Sequence, residues 1–262
     1  MPTKVQLSPL AVTIRGEGPG LLVAHGAGGS VEANYGPILD GLAAGHTVVG
    51  ADYPGSGASP RSAGPLSEDE LADQLVAAAV ARGLETFAVS GFSLGGPIAI
   101  RIAARHPERV KALILTATFA KADARLALSA RIWSEIYQDG GGLRLAEFLT
   151  LVGFGTGALD AIPSDQLEAA LKTFAESIPV GTPEHTELVR RIDVRGDLAG
   201  IKAPTLVIVT AHDALVDPAL QRRLAAGIPT ARTAEIGTGH LPMAEQPDAW
   251  LALITDFLSV HH

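Results

Sequence analysis

Short, fully apolar runs recur along this chain, separated by longer stretches in which apolar residues return every three or four positions. Leu21-Leu22-Val23-Ala24, Thr47-Val48-Val49-Gly50-Ala51, Thr86-Phe87-Ala88-Val89, Val110-Lys111-Ala112-Leu113-Ile114-Leu115 and Thr205-Leu206-Val207-Ile208-Val209 have the character of strands buried on both faces. The segments around Val31 to Ala44, Ser67 to Arg82 and Leu94 to His106 carry the longer period and predict helices. Ser67, with Glu70 three residues on, reads as a capping box at the start of the second. Val5 to Arg15 reads as a hairpin or two short edge strands ending in the Gly16-Glu17-Gly18-Pro19-Gly20 turn, and Thr233 to Ile236 as the last strand. Strand alternating with helix predicts an α/β fold, a mostly parallel twisted sheet with helices on both faces. Between about residues 119 and 200 the rhythm breaks. That stretch is helical in pattern, interrupted by Gly140-Gly141-Gly142 and Gly153-Phe154-Gly155-Thr156-Gly157, with no clear strand. The expectation is one α/β core, residues 1–118 and 201–262, carrying an inserted helical lid, residues 119–200.

Composition narrows the functional classes. A chain of 262 residues, 47% hydrophobic and 18% charged, is globular and long enough for a sizeable core. No apolar run approaches the length of a membrane span, and Met1-Pro2-Thr3-Lys4-Val5-Gln6 lacks the apolar core of a secretory signal, so a cytoplasmic protein is expected. The net charge of −8, without a basic patch or basic helix, argues against nucleic acid or an anionic membrane as partner and leaves a small-molecule substrate. With no cysteine, disulfides and thiol nucleophiles are excluded. No His/Asp/Glu cluster has metal-ligand spacing, and no cofactor is implied. Gly26 to Gly29 is no phosphate cradle either, because no Gly-Lys-Ser/Thr follows and Val31 breaks a Gly-x-Gly-x-x-Gly reading.

The candidate chemistry begins at Gly91-Phe92-Ser93-Leu94-Gly95-Gly96, between a predicted strand and a predicted helix with Pro97 in its first turn. A serine flanked two residues either side by glycine, at a sharp strand-to-helix turn, is the pattern of a nucleophile elbow. Chance supplies the bare pentapeptide in roughly one such chain in seven, so its context carries the weight. A serine hydroxyl needs a general base, and that base an orienting carboxylate. In parallel sheets such groups follow the carboxyl ends of strands. Of eight histidines, His46 opens a strand, His106 precedes Pro107, His185 lies in the lid and His25 belongs to the His25-Gly26 turn. His240, in the glycine-rich loop after the last strand, is the candidate base. Asp213 and Asp217 both follow the strand ending at Val209. Asp217, before Pro218, reads better as a helix N-cap, so Asp213 is preferred as the acid.

The order Ser93, Asp213, His240 resembles the α/β-hydrolase family, as do three further features over nearly the whole chain. They are His25-Gly26-Ala27-Gly28-Gly29 after an early strand, the Asp52-Tyr53-Pro54-Gly55-Ser56-Gly57-Ala58-Ser59 turn, and the elbow itself. The resemblance implies an oxyanion hole made by the backbone N–H groups of Ala27 and Leu94. It implies a serine hydrolase acting on a carboxylic ester or lactone of a small, largely apolar molecule through an acyl-enzyme. The alternatives are a carbon–carbon bond hydrolase of vinylogous diketones, against which Phe92 counts, since many of that group have asparagine there, and a ligand-binding protein of the same fold with little turnover. Thr210, where relatives often carry glycine, and Asp217, where proline is common, depart from the pattern without touching the expected chemistry. The Asp52 to Ser59 turn is expected to be structural. In the lid, Trp133, Ile136, Tyr137 and Phe148 are the candidate substrate pocket, with Ile132, Phe154 and Phe174 beside them. Arg125, Arg131, Arg144, Arg190 and Arg191 are candidates to meet a substrate carboxylate.

Overall fold

The apolar runs form strands and the amphipathic segments form the helices that cover them. The computed structural model describes residues 10–261. The strands are β1 (Val12–Arg15), β2 (Gly20–Ala24), β3 (Thr47–Ala51), β4 (Phe87–Phe92), β5 (Val110–Thr116), β6 (Thr205–Thr210) and β7 (Ala231–Ile236). Helices α1 (Val31–Ala43), α2 (Glu68–Val80) and α3 (Gly95–Arg105) alternate with β2 to β5. Five helices lie between β5 and β6: α4 (Ala124–Gln138), α5 (Gly142–Gly153), α6 (Thr156–Asp160), α7 (Ser164–Ser177) and α8 (Thr182–Arg191). The chain closes with α9 (Pro218–Gly227), α10 (Pro242–Glu245) and α11 (Pro247–Leu258).

Among the described residues the sheet has seven strands in the order β1-β3-β2-β4-β5-β6-β7. Only β1 is antiparallel, paired with β3 from Val12↔Ala51 to Arg15↔Val48. The expected hairpin over Val5 to Arg15 is therefore a single edge strand as far as it is described; residues 5–9 lie outside the described residues. Every residue of β2, β4 and β6 is buried, as continuous apolar runs require when helices cover both faces. One face packs against α1 and α11 through Tyr35, Leu42, Trp250 and Phe257. The other packs against α2, α3 and α9 through Leu71, Leu75, Ile98, Ile102 and Leu224.

Helix boundaries follow local chemistry. Ser67 caps α2 by accepting the Glu70 N–H, one half of the expected capping box. Asp123 and Asp217 cap α4 and α9 in the same way. The two glycine-rich interruptions separate α4 from α5 and α5 from α6. The α4–α8 segment leaves and rejoins the core at one place, where a Lys121↔Asp193 bridge and a Val194 N–H bond to Ala120 C=O close its base.

The strand order has a functional consequence. From β2 the chain moves outward to β3, then crosses back so that β4 lies on the other side of β2. Where connections diverge in this way, the carboxyl ends of the strands leave a crevice. His25 follows β2 and Ser93 follows β4, so both stand at that crevice.

Candidate active site

The turn after β4 is built by what its residues lack. A Cβ at Gly91 would collide with the Gly95 carbonyl, and one at Gly95 with the Ala24 carbonyl, so only glycine lets β4 turn into α3 against β2. Between them Ser93 takes φ 52°, a left-handed conformation that costs a non-glycine residue about 1–3 kcal/mol. Three hydrogen bonds hold it there. The Ser93 N–H donates to Thr116 C=O (3.0 Å), and its C=O accepts from the Gly96 N–H (2.9 Å) and the Thr118 hydroxyl (2.6 Å).

The other two candidates converge on it. The Ser93 hydroxyl lies 3.0 Å from His240 Nε2, and His240 Nδ1 lies 2.8 Å from Asp213 Oδ2. A carboxylate accepts, so Nδ1 carries the proton and Nε2 offers its lone pair to the serine. Ser93, His240 and Asp213 are all buried, with 8%, 5% and 5% of their surfaces exposed. Phe92 packs beneath the imidazole, ring centroids 5.1 Å apart. The His240 N–H donates to Gly153 C=O at the end of α5 (2.6 Å). Glu245 Oε1 accepts from the Gly239 and Gly155 N–H groups at 2.9 and 3.1 Å. The histidine loop is thus tied to the helices between β5 and β6.

Asp213 is held by more than the histidine. Its Oδ1 accepts from the Leu215 and Val216 N–H groups, at 2.9 and 2.8 Å. Its Oδ2 also accepts from the Thr210 hydroxyl (2.9 Å) and Gln221 Nε2 (3.2 Å). Five donors on one buried carboxylate fix its orientation. This corrects the expectation for position 210: the Thr210 hydroxyl touches the acid directly, where a glycine has nothing to donate. Asp217, by contrast, accepts the Ala219 N–H at 2.7 Å as a cap and does not reach the histidine.

The early loop lies across the crevice. Asn34 Oδ1 accepts the Gly26 N–H (2.8 Å), and Ser56 donates to Gly29 C=O (2.6 Å). Asp52 Oδ1 accepts the Val31 N–H (2.8 Å), so the Asp52 to Ser59 turn braces this loop. Among the described residues, no protein acceptor takes the N–H of Ala27 or of Leu94. His25 is fully buried. Desolvation above all, with His185 nearby, drives it down to about 3.

A cavity of about 370 Å³ opens above Ser93 and His240. Trp133, Leu149, Phe174 and Pro179 line it from the inserted segment, and Ala27, Gly28, Phe92, Leu215, Leu241 and Met243 are among its walls from the core. Of the four candidate pocket residues only Trp133 lines it. Ile136, Tyr137 and Phe148 pack instead against the Trp133, Leu145 and Leu149 cluster, holding α4 to α5. Ile132 and Phe154 are also absent from the wall, whereas Phe174 is present. None of the five arginines lines the cavity. Arg131 pairs with Glu135, Arg190 with Glu187 and Arg191 with Glu68, all at the surface. Thr118, Thr210, Gln221 and Glu245 escaped the sequence reading. Threonine at 210 in place of the expected glycine was the one signal available.

Among the described residues no group of three or more His, Asp or Glu side chains has the arrangement of a metal site. Among the described residues no helix is long and apolar enough to cross a membrane.

Comparison with known proteins agrees with this architecture. A family model described as the alpha/beta hydrolase fold matches residues 19–247. The pyrrolizixenacetamide deacetylase of Xenorhabdus hominickii is 33% identical over 97% of this chain and 96% of its own length. The pimeloyl-[acyl-carrier protein] methyl ester esterase of Aromatoleum aromaticum is 29% identical over 91% of this chain and 97% of its own. Among solved structures, the enol-lactonase from Burkholderia xenovorans LB400 superposes with a TM-score of 0.82 at 26% identity, covering 95% of this chain and 96% of that one. The parallel sheet with its crevice beside β4, the matched family model and these full-length relatives identify the chain as a member of the α/β-hydrolase family.

Proposed function

We propose that this chain is a serine hydrolase that cleaves a carboxylic ester or lactone of a small, largely apolar molecule. The observation that carries the reading is the unbroken hydrogen-bonded series Asp213–His240–Ser93 at the floor of the cavity. Ser93 Oγ attacks the carbonyl carbon while His240 Nε2 takes its proton, giving a tetrahedral adduct. The imidazolium returns that proton to the departing oxygen, leaving an acyl-enzyme on Ser93. Water, deprotonated by the same nitrogen, then releases the acid and restores the serine. Asp213 holds the imidazole in the tautomer this needs and stabilises its charged form. The Ala27 and Leu94 N–H groups bind the oxyanion, a contribution of about 3–4 kcal/mol per donor in acyl-transfer enzymes.

The helices α4 to α8 act as a lid, and their wall residues select the substrate. Trp133, Leu149 and Phe174 favour an apolar group, and among the described residues no Asp, Glu, Lys or Arg lines the cavity, which favours an uncharged group in the part of the substrate it encloses. The relatives' names, two ester or lactone hydrolases and a deacetylase, support acyl transfer to water. A panel of acyl esters, lactones and vinylogous diketones, assayed with the wild type and Ser93→Ala, tests the reading. It predicts turnover of esters or lactones that disappears in Ser93→Ala while the melting temperature holds. Turnover that survives Ser93→Ala overturns the nucleophile, and tight ligand binding without turnover by the wild type favours the ligand-binding alternative.

A further inference from the structure

His185 stands in the first turn of α8 and is fully buried, yet it takes no part in the Asp213–His240–Ser93 series. Its Nδ1 accepts the Gly28 N–H at 3.1 Å, and its Nε2–H donates to Pro54 C=O at 3.1 Å. The second buried imidazole, His25, makes the opposite pair: Nδ1–H donates to Gly26 C=O (2.8 Å) and Nε2 accepts the Tyr53 N–H (2.8 Å). Two neutral histidines, in opposite tautomers, therefore join the same two loops, residues 26–28 and residues 53–54. Tyr53 lies between them, stacked on His25 with centroids 3.9 Å apart and edge-on to His185 at 6.1 Å.

The peptide unit is planar and trans, so its C=O and N–H point in opposite directions. Holding Gly26 C=O on His25 therefore aims the Ala27 N–H away from His25. Holding the Gly28 N–H on His185 fixes the next peptide plane and turns Ala27 C=O the other way. The plane on each side of Ala27 is pinned by one imidazole. Gly28 itself sits at φ +64°, where a loop without such pinning is free to rotate. The backbone N–H of Gly181, at the start of α8, donates to Gly55 C=O at 3.0 Å, so the helix that carries His185 is seated on the second loop as well.

We propose that His185 is a positioning residue for the oxyanion site: carried on the inserted helices, it holds the Ala27–Gly28 peptide while His25 holds the Gly26–Ala27 peptide that bears the donor, and so locks the loop with the Ala27 N–H facing the adduct on Ser93. The oxyanion site is then complete only with α8 seated on the core. The inference rests on the acyl-enzyme reading. Burial keeps the Nδ1 lone pair available for the Gly28 N–H, with His185 driven down to about 4.

The test compares two replacements of similar size. In His185→Asn the Oδ1 atom takes the place of Nδ1 and keeps the acceptor for Gly28. In His185→Gln the longer amide keeps a donor near Pro54 C=O and loses the acceptor. With a p-nitrophenyl ester the expected result is a fall in kcat of about 10- to 100-fold for His185→Gln with KM within about threefold, and kcat within about fivefold of wild type for His185→Asn. Full kcat in His185→Gln overturns the proposal. So do equal losses in both variants, which mark a packing role, and a loss confined to KM. If one variant fails to fold, the other decides against the wild type: Asn must retain kcat, or Gln must lose it at unchanged KM. Ser93→Ala, assayed in parallel, separates the two failures. Turnover that survives it overturns the acyl-enzyme reading and this inference together. Turnover lost in Ser93→Ala but full in His185→Gln overturns the role of His185 alone.

Discussion

Replacing His185 with asparagine removes from the folded core an imidazole whose ordinary value of 6.5 is lowered to about 4, chiefly by desolvation. The folded value is the depressed one, so the unfolded chain binds a proton that the folded chain refuses. Stability owed to this neutral histidine is complete above pH of about 6.5 and is lost as pH falls toward about 4. Each pH unit in that window is worth about 1.4 kcal/mol per group, which integrates to about 2 kcal/mol between about pH 7.5 and about pH 5. The groups facing His185 are His25, Tyr53 and Glu184, the last paired with Arg61 at 2.8 Å. All are present in both proteins, and to first order their own titrations cancel in the difference. Urea unfolding of wild type and His185→Asn across this range measures the effect. The stability of wild type relative to the variant should fall by about 2 kcal/mol on acidification, equivalent to about 4 °C in melting temperature for a domain of this size. A difference that stays constant with pH, or that grows in favour of the wild type in acid, refutes a buried neutral histidine at this position.

Asp213→Asn should lower kcat by about 10⁴-fold, because the amide cannot hold the required tautomer or support the imidazolium, whereas Asp217→Ala should leave kcat unchanged and cost about 1 kcal/mol in urea as a lost helix cap. Thr210→Val removes one donor from a buried carboxylate. It should cost about 1.5–3 kcal/mol of stability while steady-state kinetics show less than about a tenfold loss in kcat, since the Leu215 and Val216 N–H groups still orient Asp213. Gly95→Ala puts a methyl group against the backbone carbonyls of Ala24 and His25, neither of which can yield without disturbing β2. It should abolish soluble, cooperatively melting protein.

The parallel sheet was legible because strands buried on both faces need unbroken apolar runs, and β2, β4 and β6 supply them. Strand ends drifted by up to three residues, since β4 runs on through Ser90, Gly91 and Phe92, and glycine is a poor strand signal. Ser93 stood out because the glycines beside it leave a visible trace in sequence. Asp213 was separable from Asp217 because proline marks a helix start. The braces left no comparable trace. Gln221 on α9 looks like a solvent-facing polar residue next to Arg222, and only its burial against Thr210 and Val216 shows otherwise. His185 lies 157 residues from Gly28, a contact that depends on how α8 folds back onto the core. The same holds for the cavity wall: Trp133, Ile136 and Tyr137 share one helix, and its docking against α5 decides that Trp133 faces the cavity while the other two fill the seam.

Ser93 as the carrier of a covalent acyl intermediate is open to a direct chemical test, trapping by a fluorophosphonate read out by intact-protein mass. The wild type should gain the mass of a single phosphonyl group, mapped by peptide mass to the segment containing Ser93, and Ser93→Ala should gain none. A wild type that stays unmodified, or a Ser93→Ala variant that is modified to the same extent, contradicts it.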